Sequence, residues 1–165
     1  MIETERLYIE KITENDGLFF LELINSPNWI QFIGDRGIVT QTEVLKYIEK
    51  SVFASYREKG YGPYKMVLKE DGIPIGVSGF YKRDYLEHVD IGFAILPQYE
   101  GKGFAFEATS AVLDYGAKTL SLEPVLAITT EENKRSQNLL GRIGLKKIDV
   151  ITPKNSDEHL LLFSN

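Results

Sequence analysis

The sequence predicts an α/β (α+β) fold, a mixed and mostly antiparallel central sheet flanked by helices. Three observations carry that expectation. Short runs of strand-like residues recur through the chain, amphipathic helical segments fall between several of them, and one pair of strand runs is joined through a helix, which calls for a parallel crossover. The chain has 165 residues, of which 43% are hydrophobic and 26% charged, with nine Phe, nine Tyr and one Trp. That size and apolar content suit one compact domain spanning residues 1–165, and no Gly/Ser or Pro-rich linker divides it.

Taken in order, Leu7, Ile9 and Lys11 alternate with their neighbours as a first strand. Leu18, Phe19, Leu21, Leu23 and Ile24 predict a short helix capped by Thr13 or Asn15, and residues 28–37 read as a Gly-containing loop. Thr40-Gln41-Thr42-Glu43 has capping-box spacing ahead of Val44, Leu45, Ile48, Val52 and Tyr56 on one helical face, with Gly60 as the stop. Strand runs follow at 64–69, 74–81 and 89–96, the first two joined by an Asp71-Gly72 turn. A helix over 101–120, a strand over 125–129, a helix over 136–143 closed by Gly144, a strand ending at Val150 and Ile151, and a last strand over 160–163 complete the order β-α-α-β-β-β-α-β-α-β-β.

Composition narrows the function. A net charge of −5 argues against a nucleic-acid partner, because a polyanion needs a basic face. With no cysteine there is no disulfide, no thiolate nucleophile and no Cys-ligated zinc, and His88 and His159 stand in no metal-ligand spacing, so no metal site is expected. The N-terminal residues lack a signal-peptide pattern and no apolar run reaches about 18 residues, which predicts a cytoplasmic chain with no membrane span.

One stretch carries chemistry. The apolar run 90–96 leads into Pro97-Gln98-Tyr99-Glu100-Gly101-Lys102-Gly103-Phe104-Ala105, a Gly-x-Gly turn that opens an amphipathic helix. The first N–H groups of a helix have no internal partner and carry partial positive charge, so such a turn cradles an anion. Glycines let the backbone approach a phosphate, and Lys102 adds a charge. The dinucleotide fingerprint is excluded because Phe106 stands where its third glycine belongs, and no Gly-Lys-Ser/Thr marks a P-loop.

The fuller pattern from Gln98 to Ala105 resembles the Gln/Arg-x-x-Gly-x-Gly/Ala signature of the GNAT N-acetyltransferase superfamily. Asn133-Lys134-Arg135-Ser136, leading to Gly144-Leu145, is similar to that family's Asn-x-x-Ser/Ala segment ending in Gly-Phe, with Leu145 in place of Phe. The branch most similar is that of the ribosomal-protein N-terminal acetyltransferases, and the element order agrees over nearly the whole chain. The resemblance implies acetyl-coenzyme A as co-substrate. Its pyrophosphate would lie on the amides of Gly101, Lys102, Gly103, Phe104 and Ala105, with Gln98 at the mouth of the turn. Its pantetheine arm would pair with the backbone of Ile95 and Leu96, and Asn133 would hydrogen-bond that arm, with Lys134 and Arg135 near the adenosine phosphates or solvated in the first turn of their helix. The implied acceptor is a small-molecule or peptide amine, and dimers are common in the family.

Acetyl transfer needs a base, an oxyanion donor and a proton for the leaving thiolate. Asp90, on one strand face with Gly92, Ala94 and Leu96, is the candidate base, the alternatives being an ion pair with Arg83 or His88 and a water chain. An amide near Leu96 is the candidate oxyanion donor. The family's usual acidic tyrosine is replaced by Leu140, which leaves Ser136 as candidate acid and leaves open a coenzyme A-binding module without catalysis. Trp29, Phe32, Asp35, Arg36 and Tyr64 fall in segments expected to border the acceptor cleft. Trp29 and Phe32 are expected to pack as core or lid, and Asp35 and Arg36 are candidates for reading a charged acceptor.

Overall fold

A computed structural model describes residues 1–154 and 156–165. The strands are β1 (Ile2–Glu3), β2 (Leu7–Lys11), β3 (Pro63–Leu68), β4 (Pro74–Tyr81), β5 (Asp90–Ile95), β6 (Leu126–Thr130), β7 (Lys146–Ile151) and β8 (Leu160–Ser164). They form one eight-stranded sheet in the order β1-β2-β3-β4-β5-β6-β8-β7. Every neighbouring pair is antiparallel except β5 and β6, whose connection passes through a helix as expected.

The helices are α1 (Gly17–Ile24), α2 (Pro27–Phe32), α3 (Gln41–Tyr47), α4 (Ala54–Lys59), α5 (Phe104–Leu120) and α6 (Lys134–Arg142). α1 to α4 cover one face of the sheet through a core containing Phe20, Leu23, Trp29, Val44 and Ile48 together with Val77 and Leu96. α5 and α6 cover the other face, with Phe80, Ile91, Val112, Leu140 and Phe163 between. α5 comes close to β4: a Cβ on Gly116 would lie 2.3 Å from Cζ of Phe80, and the Ser78 hydroxyl donates to that of Thr109 at 3.2 Å in the interior.

Several local expectations are corrected. Residues expected as a loop contain α2, which begins as Ser-Pro sequences often do, with extended Ser26 followed by Pro27 at the first helical position. Thr13 starts a 3-10 turn over Glu14–Asp16 before α1 rather than α1 itself. Ahead of the expected first strand, β1 pairs Ile2 with Ile9. The helix expected to open at Gly101 opens at Phe104, because Gly101 and Gly103 hold positive φ of 73° and 83°. Thr40 and Glu43 do form their capping box, and the helix runs to Gly60, but its middle, Ile48–Phe53, is a π-helical turn. The reason lies in spacing: Val44, Ile48, Val52 and Tyr56 stand four apart, and such a row drifts about 40° per step around a 3.6-residue turn. Widening the turn keeps the row on the sheet.

Two glycines test the packing in opposite directions. A Cβ at Gly79 would lie 2.3 Å from the Gly62 carbonyl oxygen and 2.4 Å from Pro63 Cα, backbone atoms that cannot rotate away. Gly141, inside α6, has nothing within 4 Å of its Cβ position. We expect Gly79→Ala to destabilise the fold by about 2–3 kcal/mol or more, and Gly141→Ala to stabilise it by about 0.4–1 kcal/mol, both read by urea denaturation.

Candidate active site

β5 and β6 pair at a single position, Asp90 with Leu126, where the Leu126 N–H donates to the Val89 carbonyl at 2.8 Å. Beyond it each strand stays with its other neighbour, β5 with β4 and β6 with β8. The sheet therefore opens between them. On β5 the Leu96 N–H donates to the Ile75 carbonyl at 2.8 Å. Antiparallel alternation then directs Ala94 and Gly92 to β4 as well, and turns the amides and carbonyls of Ile91, Phe93 and Ile95 toward the gap.

A cavity of about 660 Å³ occupies that gap and continues under α2 and α3. Gly101, Gly103, Phe104 and Ala105 line it from the end of the β5 arm, and Asn133 and Ser136 from the β6 arm. No side chain caps α5, and the Glu107 N–H bonds back to the Gly103 carbonyl at 3.0 Å. The preceding amides are thus directed outward without helical partners. A Cβ at Gly101 would meet nothing within 4 Å, so the turn is left open on that side. These features fit a phosphate group.

Across the gap, Asn133 caps α6 by accepting the Ser136 N–H at 3.1 Å, which leaves its amide NH₂ able to donate. Ser136 is the third residue of α6 and half-buried on the cavity wall. Leu140 is buried in the core. Glu100 links three elements: Asn28 of α2 and Arg135 of α6 both bind its carboxylate.

Asp90 lies at the closed end of the gap, 1% exposed. Burial pushes its carboxyl above the ordinary carboxylate range, and the Arg83 guanidinium opposes that push. Arg83 Nε donates to both Asp90 oxygens, at 3.0 and 3.1 Å, so the ion pair with Arg83 is formed. The Tyr81 ring covers Gly92, with the Arg83 guanidinium 5.8 Å from its centroid. Burial pushes the Tyr81 phenol well up, so it stays protonated.

Asp90, Ile95, Gly101, Gly103, Phe104, Ala105, Asn133 and Ser136 thus share one cavity wall. Three residues expected on the coenzyme side, Leu96, Gln98 and Lys102, do not. Leu96 is buried with its amide bonded to Ile75, so it cannot serve as oxyanion donor or pair with a ligand strand, and the free amides are those of Phe93 and Ile95. Gln98 faces outward toward Glu22 at 3.4 Å, and Lys102 is exposed with its ammonium 5.5 Å from the Tyr99 ring centroid. Arg135 is held by Glu100, and Tyr64 packs in the core away from the cavity. Trp29 is core and Phe32 lines the cavity, whereas Asp35 is turned to the Gly37 N–H at 2.8 Å. His88 lies outside the cavity and His159 bonds Thr152 at 2.8 Å.

One clamp had no sequence signal. Glu107 of α5 accepts from the Thr4 hydroxyl at 2.6 Å, the Arg6 N–H at 2.8 Å and Arg6 Nε at 2.7 Å. Arg6 also donates to the Lys102 carbonyl at 3.0 Å and lies 4.4 Å over the Phe104 ring. The β1–β2 ribbon so fixes the start of α5.

Residues 6–146 match the acetyltransferase (GNAT) domain family. The "Uncharacterized N-acetyltransferase YnaD" of Bacillus subtilis (strain 168) is 29% identical over 147 residues, covering 88% of this chain and 82% of that protein. The "[Ribosomal protein uS5]-alanine N-acetyltransferase" of Escherichia coli (strain K12) is 35% identical over 75 residues, 44% of this chain and 39% of that protein. A GNAT-family acetyltransferase structure from Bacillus anthracis superposes with a TM-score of 0.81 at 24% identity, over 99% of this chain and 96% of that one.

The clamp makes a pH-dependent prediction. Partial burial pushes Glu107 up, but its bonds from Thr4 and Arg6 outweigh that and hold it below its usual 4.5. A depressed carboxylate stabilises the fold above its unfolded pKa and loses that contribution as pH falls through the folded one. Glu107→Gln should therefore cost on the order of 0.5–1 kcal/mol near neutral pH, after allowance for solvent screening. The difference in Tm from wild type should shrink as pH drops below about 4.

Proposed function

The chain belongs to the GNAT acetyltransferase family, and from that premise we propose that it acts as a single cytoplasmic N-acetyltransferase domain, transferring the acetyl group of acetyl-coenzyme A to a primary amine by direct attack in a ternary complex. The observation that carries the reading is the opened gap between β5 and β6. It holds an anion cradle at one end, a free strand edge along its wall and a buried carboxylate at its closed end.

The chain's residues divide the work. The amides around Gly101 and Gly103 hold the pyrophosphate. The Ile95 edge and the Asn133 amide hold the pantetheine arm as an added strand would be held. The Phe93 or Ile95 amide donates to the thioester oxygen as charge develops on it. Asp90, as carboxylate, takes the proton from the amine directly or through water while the nitrogen bonds the carbonyl carbon. The C–S bond would then break, and the Ser136 hydroxyl on the β6 arm would relay a proton from solvent water to the departing thiolate, taking one up as it gives one away. Arg83 keeps Asp90 ionised against the effect of burial. The acceptor is a small-molecule or peptide amine. Nucleic acid and membrane are not partners in this reading, and the chain works as a monomer or a homodimer.

Acetyl-coenzyme A at about 100 times its Kd should add roughly 2.7 kcal/mol to stability, seen as a rise in Tm. A flat Tm at saturation would remove the cofactor assignment. For the base, Asp90→Asn should lower kcat by about 10²–10⁴-fold with coenzyme affinity little changed. In wild type, activity should rise with pH along a limb above the ordinary carboxylate range, and that limb should be missing in Asp90→Asn. Wild-type turnover by the folded variant would leave a water chain as the better account.

A further inference from the structure

The acceptor half of the cavity has a definite charge pattern. Asp90, Gly92 and Ala94 alternate onto the sheet face covered by α2 and α3, and there the wall includes Trp29, Phe32, Tyr47 and Tyr81. Of the acids on the cavity wall, Asp90 is paired with Arg83 and Glu100 with Arg135. Of the other arginines on the wall, Arg135 binds Glu100 and Arg142 lies 4.1 Å over the Phe106 ring. Arg36 has no ion pair or hydrogen bond among the described residues, and its neighbour Asp35 is occupied by the Gly37 amide. Glu158, whose carboxylate has no partner among the described residues, lines the same cavity. It stands two residues before Leu160, which pairs with Thr130 at the end of β6 opposite the Asp90–Leu126 contact.

We propose that the acceptor is a primary amine carrying a carboxylate, with its nitrogen directed to Asp90, its carboxylate bound by Arg36 and its carbon frame against Trp29, Phe32 and Tyr81. This deepens the acetyl-transfer reading and rests on it. A cation on the wall without an ion-pair partner among the described residues, and a base already paired with Arg83, suit an acceptor that brings its own carboxylate. Aromatic walls favour an apolar frame between the two charged ends. A charge-assisted bond from guanidinium to carboxylate is worth roughly 10–100-fold in discrimination over an analogue lacking the carboxylate.

Matched pairs test this: 4-aminobutyrate against propylamine, 6-aminohexanoate against pentylamine, and 4-(aminomethyl)benzoate against benzylamine, with spermidine as polycation and a peptide with acidic side chains near its N-terminus against a neutral one. The assay reads thiol release for kcat/KM. It also reads quenching of Trp29, the single tryptophan, on titrating each amine into coenzyme A-saturated protein. Carboxylate members should lead their partners by about tenfold or more in both readouts. Arg36→Gln should bring the ratio toward one and Arg36→Glu should invert it, with KM for acetyl-coenzyme A unchanged. A lead confined to free amino acids identifies a small-molecule acceptor, and a lead confined to the acidic peptide identifies a peptide one. Equal binding within the pairs, preference for spermidine, or an Arg36 effect confined to acetyl-coenzyme A overturns the proposal. Carboxylate-dependent quenching without thiol release supports the acceptor site and counts instead against the catalytic reading.

Discussion

The site depends on β5 and β6 touching once and then parting. Each is held along its length by its antiparallel partner, so neither can follow the other. The result is a sheet continuous at Asp90 and Leu126 and split beyond. Because α5 follows the split end of β5 and α6 the split end of β6, two helix N-termini face the same opening. The unpaired amides at the start of α5 and the strand edge of β5 are polar groups that water or a ligand must satisfy. An unbroken sheet would have satisfied the edge and closed the space.

The same contact explains why Asp90 is chemically unusual. At the closed end of the gap it is almost wholly enclosed, and the Arg83 guanidinium bonds both of its oxygens. A buried ion pair recovers its desolvation cost poorly, so stability alone gives little reason for this arrangement over two apolar residues. A carboxylate raised by burial yet kept ionised suits a group that must accept a proton near neutrality and release it again.

Much of this was legible in the sequence, and the divisions are physical. Strand alternation, the Thr40–Glu43 box and the glycines at 101 and 103 are local signals, and the elements they mark are present. Gly101, Gly103, Phe104, Ala105, Asn133 and Ser136 line one cavity because a turn and a helix start are fixed by neighbouring residues, whereas Gln98 and Lys102 of the same motif do not line it. Leu96 was misread because strand alternation gives side-chain faces but not which edge an amide serves; that depends on the pairing with Ile75. The Glu107 clamp reaches over 101 residues to Arg6 and leaves no local trace. α2 had its Ser26-Pro27 signal, outweighed by the glycines and polar residues after it. The wide turn at Ile48–Phe53 was written in the spacing of four and needed only to be compared with the period of a helix.

β7, at the far edge of the sheet, has a bearing on how the protein behaves at high concentration. Five of its six residues are exposed, Ile148 and Val150 at 57% and 48%, and its outer backbone is unpaired among the described residues. An apolar, open strand edge is a template for association with any other extended chain. Here the register shift between Lys147 and Asp149 bends the edge, and three charged side chains on the six-residue strand interrupt it. Those features keep the molecule dispersed without adding to its core. Replacing the exposed Lys146 and Lys147 with apolar residues would leave folding energetics almost untouched while turning a guarded margin into a sticky one.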